Sequence, residues 1–67
     1  MFKNLGIVIR DNAYFLISEL KKADFDFDCI KNNDHIEIDI KNIDNDEINI
    51  INKFIENHNI NADAMAY

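Results

Sequence analysis

Hydrophobic and polar positions alternate along this chain in two different periods, and each change of period predicts a change of element. Residues 5–10 form a short apolar run rich in β-branched side chains, which predicts a first strand. From residue 13 to residue 23, apolar side chains recur at helical spacing and predict a first helix. Asp11 or Asn12 is expected to cap this helix by accepting hydrogen bonds from its free N–H groups.

Between residues 24 and 41 the apolar positions recur with a period of two, which is typical of strands. Residues 24–29 and 36–41 both alternate in this way, and Asn32, Asn33 and Asp34 between them tolerate the positive φ of tight turns. A hairpin is therefore predicted. An even-length loop would place the apolar side chains of both strands, Cys29 included, on the same face of the sheet.

A second helix is predicted after Asp44. Glu47 follows three residues later, as in a capping box. A helical stripe comes next, made of Ile48, Ile51, Phe54, Ile55 and His58. Asn59 is suited to the left-handed conformation that ends a helix, after which Ile60 would fold back on the last turn.

Residues 61–67 leave two alternatives open. They form either a short fourth strand, with Met65 and Tyr67 on one side, or a tail whose aromatic end packs against the core. The predicted order is therefore β-α-β-β-α, with or without a last strand. This order predicts a single α+β domain over residues 1–67, a ferredoxin-like sandwich with two helices on one face of a three- or four-stranded antiparallel sheet.

Charge narrows the classes of partner. Thirteen Asp and Glu against seven Lys and Arg give a net charge of −6, so nucleic acid and anionic lipid surfaces should repel the protein. We therefore expect neither direct nucleic-acid binding nor membrane association. Cys29 is the only cysteine, which excludes an intramolecular disulfide and favours a cytoplasmic location. On the apolar side of a strand, Cys29 is expected to be buried and unreactive.

The hairpin predicts a surface where acidic side chains gather. Whichever even register forms, at least one carboxylate opposes another across the strands, such as Asp28 with Glu37 or Asp39, and opposed like charges destabilise a sheet. Proteins often tolerate such a cost where a functional site needs the charge. We therefore interpret the acidic face as a binding surface for a basic partner. The alternative is that it is only a solvated surface. The candidate partner-binding residues are Asp24, Asp26, Asp28, Glu37, Asp39 and, as an aromatic contact at a helix edge, Tyr14.

No motif for catalysis, a cofactor or a metal is found. Asp24 could open a calcium-binding loop, but Cys29 stands where that loop requires Gly and His35 where it requires the closing Glu. His35 and Glu37 match the start of a zinc motif whose paired cysteines are missing. We therefore expect no enzyme, no cofactor and no bound metal.

The function expected from these features is a non-enzymatic, acidic protein-interaction module. Its carboxylates would imitate phosphates and occupy the groove of a basic nucleic-acid-binding protein, as a viral inhibitor of the anti-CRISPR or anti-restriction type would. Two alternatives remain open at this point. One is a regulatory domain that binds a small ligand or a divalent metal, and the other is the subunit of a homodimer or larger homo-oligomer.

Overall fold

The computed structural model describes residues 2–67 and shows the predicted α+β ferredoxin-like arrangement. The elements are β1 (Lys3–Ile9), α1 (Ala13–Lys22), β2 (Phe27–Lys31), β3 (Ile36–Ile43), α2 (Asn45–Asn57) and β4 (Ala62–Ala66). The strands form an antiparallel sheet in the order β2-β3-β1-β4. Of the two alternatives for residues 61–67, the fourth strand is confirmed.

The core lies between the helices and the two central strands, β1 and β3. Alternation along β1 buries every second side chain, and the apolar stripes of α1 and α2 cover them. The edge strands β2 and β4 contribute no fully buried residue. The buried cluster consists of Leu5, Ile7, Ile9, Ala13, Leu16, Leu20, Ile38, Ile40, Ile43, Ile51, Ile55 and Ile60.

The two helices begin differently. In α2, the side chain of Asp44 accepts a hydrogen bond from the Glu47 backbone N–H (2.8 Å), and Glu47 accepts one from the Asp44 N–H (3.0 Å). The predicted capping box is therefore confirmed. The predicted side-chain cap of α1 is wrong. Asn12 occupies the cap position in the left-handed conformation, at φ 60°, and makes no such bond, because this cap needs extended backbone there.

Both helices end in the same hydrogen-bonded turn. After α2, Asn59 is left-handed and Ile60 N–H donates to the carbonyl of Ile55 (3.0 Å), as predicted. After α1, Asp24 is left-handed and Phe25 N–H donates to the carbonyl of Leu20 (3.1 Å) in the same way. The expectation that Asp24 belongs to the second strand is therefore wrong, since β2 begins at Phe27.

The predicted hairpin forms from β2 and β3 with the expected parity, and Cys29 pairs with Ile38 on the side of the sheet that carries the helices. Cys29 is nevertheless exposed, so the prediction that it is buried is wrong. β2 is an edge strand, and Phe27 is its only large apolar side chain on that side, so little apolar surface there is available for a helix to cover. The turn uses no positive φ at residues 32–34, contrary to expectation.

Within residues 2–67, neither helix has both the length and the apolar character needed to cross a bilayer.

Candidate partner-binding surface

One face of the sheet carries no helix, and the strand register fixes which side chains share it. Asp28 lies opposite Asp39, which lies opposite Gly6, and Gly6 lies opposite Met65 on the far edge. We call this surface the open face. Its main side chains are those of Asp26, Asp28, Ile30, Glu37, Asp39, Lys41, Val8, Asp63, Met65 and Tyr67.

The opposed carboxylates predicted from the sequence are confirmed, and the register selects Asp28 with Asp39. Glu37 instead faces Ile30. Lys41 relieves part of the repulsion, because its Nζ lies 2.7 Å from Oδ2 of Asp28. The hydrogen bond and charge of Asp28 raise the pKa of Lys41 above its ordinary value. A facing carboxylate pair is therefore kept on an exposed surface, with one lysine as its local counter-charge.

Tyr67 links three strands of the open face. It extends from β4, its ring passes over Gly6 of β1, and its hydroxyl donates a hydrogen bond to Oδ1 of Asp39 on β3. A Cβ atom on Gly6 would lie 3.4 Å from the Tyr67 ring, so the ring rests closely against the backbone there. This hydrogen bond to Asp39 raises the pKa of the Tyr67 hydroxyl.

A shallow groove of about 310 Å³ lies beside the Tyr67 ring on the open face. Apolar atoms form most of its walls, while three carboxylates stand along it. Ile30, Met65 and Tyr67 are large apolar residues that remain 60%, 75% and 65% exposed on this face. The groove is lined by Gly6, Ile7, Val8, Asp28, Ile30, Glu37, Ile38, Asp39 and Tyr67.

The turn next to the open face is held by side-chain hydrogen bonds. Asn32 Nδ2 donates to Oε2 of Glu37 (2.8 Å), and His35 Nδ1 lies 2.7 Å from Oδ1 of Asp34. The bond from His35 lowers the pKa of the Asp34 carboxyl. His35 therefore fixes the hairpin turn and orients neighbouring polar groups.

A larger depression, of about 670 Å³, lies at the end of the sheet between the β1–α1 connection and the hairpin turn. Its lining includes Arg10 and Lys31 as well as Asp11 and Asp34, so charges of both signs balance there. It therefore offers no preference for a charged partner.

The candidate residues do not all share one surface. The open face brings together Asp26, Asp28, Glu37 and Asp39. Asp24 lies outside it, in the turn after α1, and Tyr14 lies on α1. Tyr14 is exposed, and Lys31 Nζ approaches its ring centroid to 5.1 Å. A role of Tyr14 in partner contact stays a prediction, and it would involve a different surface from the carboxylates.

Sequence reasoning missed the apolar part of the open face. The signal was present in Gly6, the only glycine of the chain, which falls inside a predicted strand. A glycine there often marks close approach by another group, and here that group is the Tyr67 ring. Ile30 was missed because it follows the alternating run.

Among residues 2–67, no three His, Cys, Asp or Glu side chains come together in a way that could hold a metal ion. Comparison with protein-family models, with curated protein sequences and with solved structures finds no match to this chain.

Proposed function

We propose that this protein is a non-enzymatic interaction module whose open face docks onto a basic surface of another protein. The observation that carries the proposal is the combination of carboxylates and exposed apolar side chains on a sheet face that no helix covers. Asp28, Glu37 and Asp39 stand beside the exposed Ile30 and Tyr67. Contiguous exposed apolar surface rimmed by polar groups is typical of protein interfaces.

The sign of the charge selects the partner. Lys41, the basic side chain of the open face, is already ion-paired with Asp28, and Arg10 at the adjoining end of the sheet is paired with Asp63 at 3.0 Å. The remaining carboxylates leave the face negative. Two copies of the protein meeting through this face would oppose like charges, whereas a basic surface would neutralise them.

The finer proposal is that the partner binds nucleic acid and that this protein, in the cytoplasm, inhibits it by imitating phosphates. Along β3, Glu37 and Asp39 are two residues apart, and side chains in this relation are spaced by about 6.6 Å. Together with Asp28 they form a regular negative array. Such an array would be attracted to a groove built for nucleic acid and would speed association.

Charge reversal on the open face tests docking. The double variant Asp26→Lys with Asp39→Lys should bind basic partners at least about a hundredfold more weakly, because each lost charge contact is worth about tenfold or more. Biolayer interferometry would measure binding to purified CRISPR effectors and restriction enzymes immobilised without nucleic acid. The matched control is Glu19→Lys with Glu56→Lys, which makes the same charge change on the helices and should leave binding much less affected.

The same panel tests the finer proposal. Fluorescence anisotropy of labelled DNA bound to each enzyme should fall when the wild-type protein is added. Binding without DNA release would rule out nucleic-acid mimicry and retain docking. Wild-type protein that binds none of the panel would contradict the choice of partner, and a double variant that binds as tightly as the control would contradict docking through the open face.

A further inference from the structure

We propose that the groove beside Tyr67 receives a single arginine side chain of the basic partner. This inference rests on the proposed function and names the chemistry that the open face recognises. The groove measures about 310 Å³, close to the lower end of the range of about 300–1,000 Å³ that is typical of ligand pockets. That size suits one side chain better than a nucleotide or a helix.

One residue without a side chain lets the Tyr67 ring form a wall of the groove. In the row Asp28, Asp39, Gly6 and Met65, only Gly6 has no side chain on the open face. The Tyr67 ring lies over this position, 3.4 Å from where a Cβ atom would stand. Val8 and Ile30 line the groove in the next row, so apolar atoms would contact the aliphatic stem of an arginine.

Three carboxylates supply the complementary charge. Asp28, Glu37 and Asp39 line the groove, and Lys41 pairs with Asp28 alone. Tyr67 takes up Oδ1 of Asp39 and Asn32 takes up Oε2 of Glu37. Because a carboxylate offers about four lone-pair sites, both groups keep the capacity to accept hydrogen bonds from a cation.

The geometry favours arginine over lysine. A guanidinium is planar, so it can lie against the Tyr67 ring while its five N–H donors reach more than one carboxylate. An ammonium is a compact, strongly hydrated charge that gains less from a flat aromatic wall. An apolar trough with an aromatic side and carboxylates along it therefore matches the shape and the charge of an arginine side chain.

Titration with a single arginine tests this without any protein partner. In ¹⁵N–¹H NMR spectra, N-acetyl-arginine amide should produce saturable shifts of the Gly6, Val8 and Ile30 amides. N-acetyl-citrulline amide, which is nearly isosteric and uncharged, should bind at least about tenfold more weakly, since a charge-assisted hydrogen bond contributes more than about 1.4 kcal/mol. Equal binding of citrulline or lysine amide, or shifts that do not centre on the groove, would overturn the proposal.

Two variants that leave the charges unchanged separate the groove from the general acidity of the face. Gly6→Val displaces the Tyr67 ring, which forms one wall of the groove, and Ile30→Ala removes an exposed apolar wall where loss of folding is not expected. Each variant should lower the affinity for N-acetyl-arginine amide at least about threefold. This loss is smaller than the one expected for citrulline, because an apolar contact is worth only about 0.8 kcal/mol per CH₂. Ile50→Ala, at an isoleucine that is 63% exposed on α2, is the matched control and should change nothing.

The outcomes also distinguish this inference from the proposed function. Wild-type binding to the enzyme panel together with unchanged arginine amide affinity in Ile30→Ala would overturn the groove and leave docking intact. Arginine amide that saturates the groove while no enzyme is bound would support the groove and contradict the choice of partner.

Discussion

Tyr67 is the residue on which the open face is organised, and its hydroxyl gives a direct spectroscopic test. Asp39 accepts its hydrogen bond and raises the pKa of Tyr67, so the phenol should ionise at higher pH folded than unfolded. This contribution to stability is present below the unfolded pKa and is lost as pH rises through the folded value.

We therefore expect Asp39→Asn to lower the pKa of Tyr67, because the negative acceptor is removed. Tyrosinate absorbance during an alkaline titration would measure this, in a Tyr14→Phe background so that Tyr67 alone contributes. An unchanged titration in Asp39→Asn would show that the hydrogen bond does not form in solution. Asp28→Asn is the control, since it changes the neighbouring charge and keeps the acceptor.

The sequence predicted residue positions well where a side chain follows its own strand, and poorly where the environment depends on another element. Asp28 and Asp39 lie on the same face and oppose each other, because the alternation of side chains within one hairpin determines the face of each residue. Cys29 also lies on the predicted side, yet its exposure depends on whether a helix reaches an edge strand. The contact of Tyr67 with Asp39 spans three strands, and no local pattern could reveal it.

At the scale of elements, α2 should depend on its capping box more than on any other surface interaction of its first turn. Asp44→Ala removes the acceptor for the Glu47 N–H and should lower the free energy of unfolding by about 1 kcal/mol. Urea denaturation followed by circular dichroism would measure the loss. Asp46→Ala in the same turn keeps the box and should cost less, and equal costs would show that the helix dipole rather than the cap is responsible.

Strand ends were harder to predict than strands, because special backbone conformations decide them. Asn42 adopts φ 55° and creates an irregularity in the pairing of β1 with β3. As a result Ile40 and Ile43 are both buried, although they are three residues apart. Asp24 adopts the same left-handed conformation in the turn after α1, and β2 therefore begins only at Phe27. Asp and Asn are common throughout this chain, so composition does not reveal which of them takes a positive φ.

For the whole molecule, order and spacing of the apolar runs were enough to predict the ferredoxin-like topology, including a possible last strand. They could not predict how far the helices extend over the sheet. The helices cover β1 and β3, and both edge strands remain exposed. The exposure of Cys29 follows from this, because Cys29 lies on the helix side of the edge strand β2.

Net charge makes a prediction for the whole protein. The molecule measures 34 × 23 × 21 Å, so at about 0.01 M salt, where the Debye length is about 30 Å, nearly all of its charges interact. With a net charge of −6, repulsion should dominate, and raising sodium chloride to about 0.15 M, where the Debye length is about 8 Å, should stabilise the fold. The melting temperature should rise by a few degrees, because about 1 kcal/mol corresponds to about 4–8 °C in a domain of this size.

Thermal unfolding by circular dichroism would measure this dependence in the wild type and in Asp28→Asn with Asp39→Asn. The double variant removes the facing carboxylates, so it should melt higher at low salt and respond less to added salt. A melting temperature that falls as salt is added would contradict the prediction. In that case the ion pairs of Lys41 with Asp28 and of Arg10 with Asp63 would contribute more to the stability of the fold than the repulsion removes.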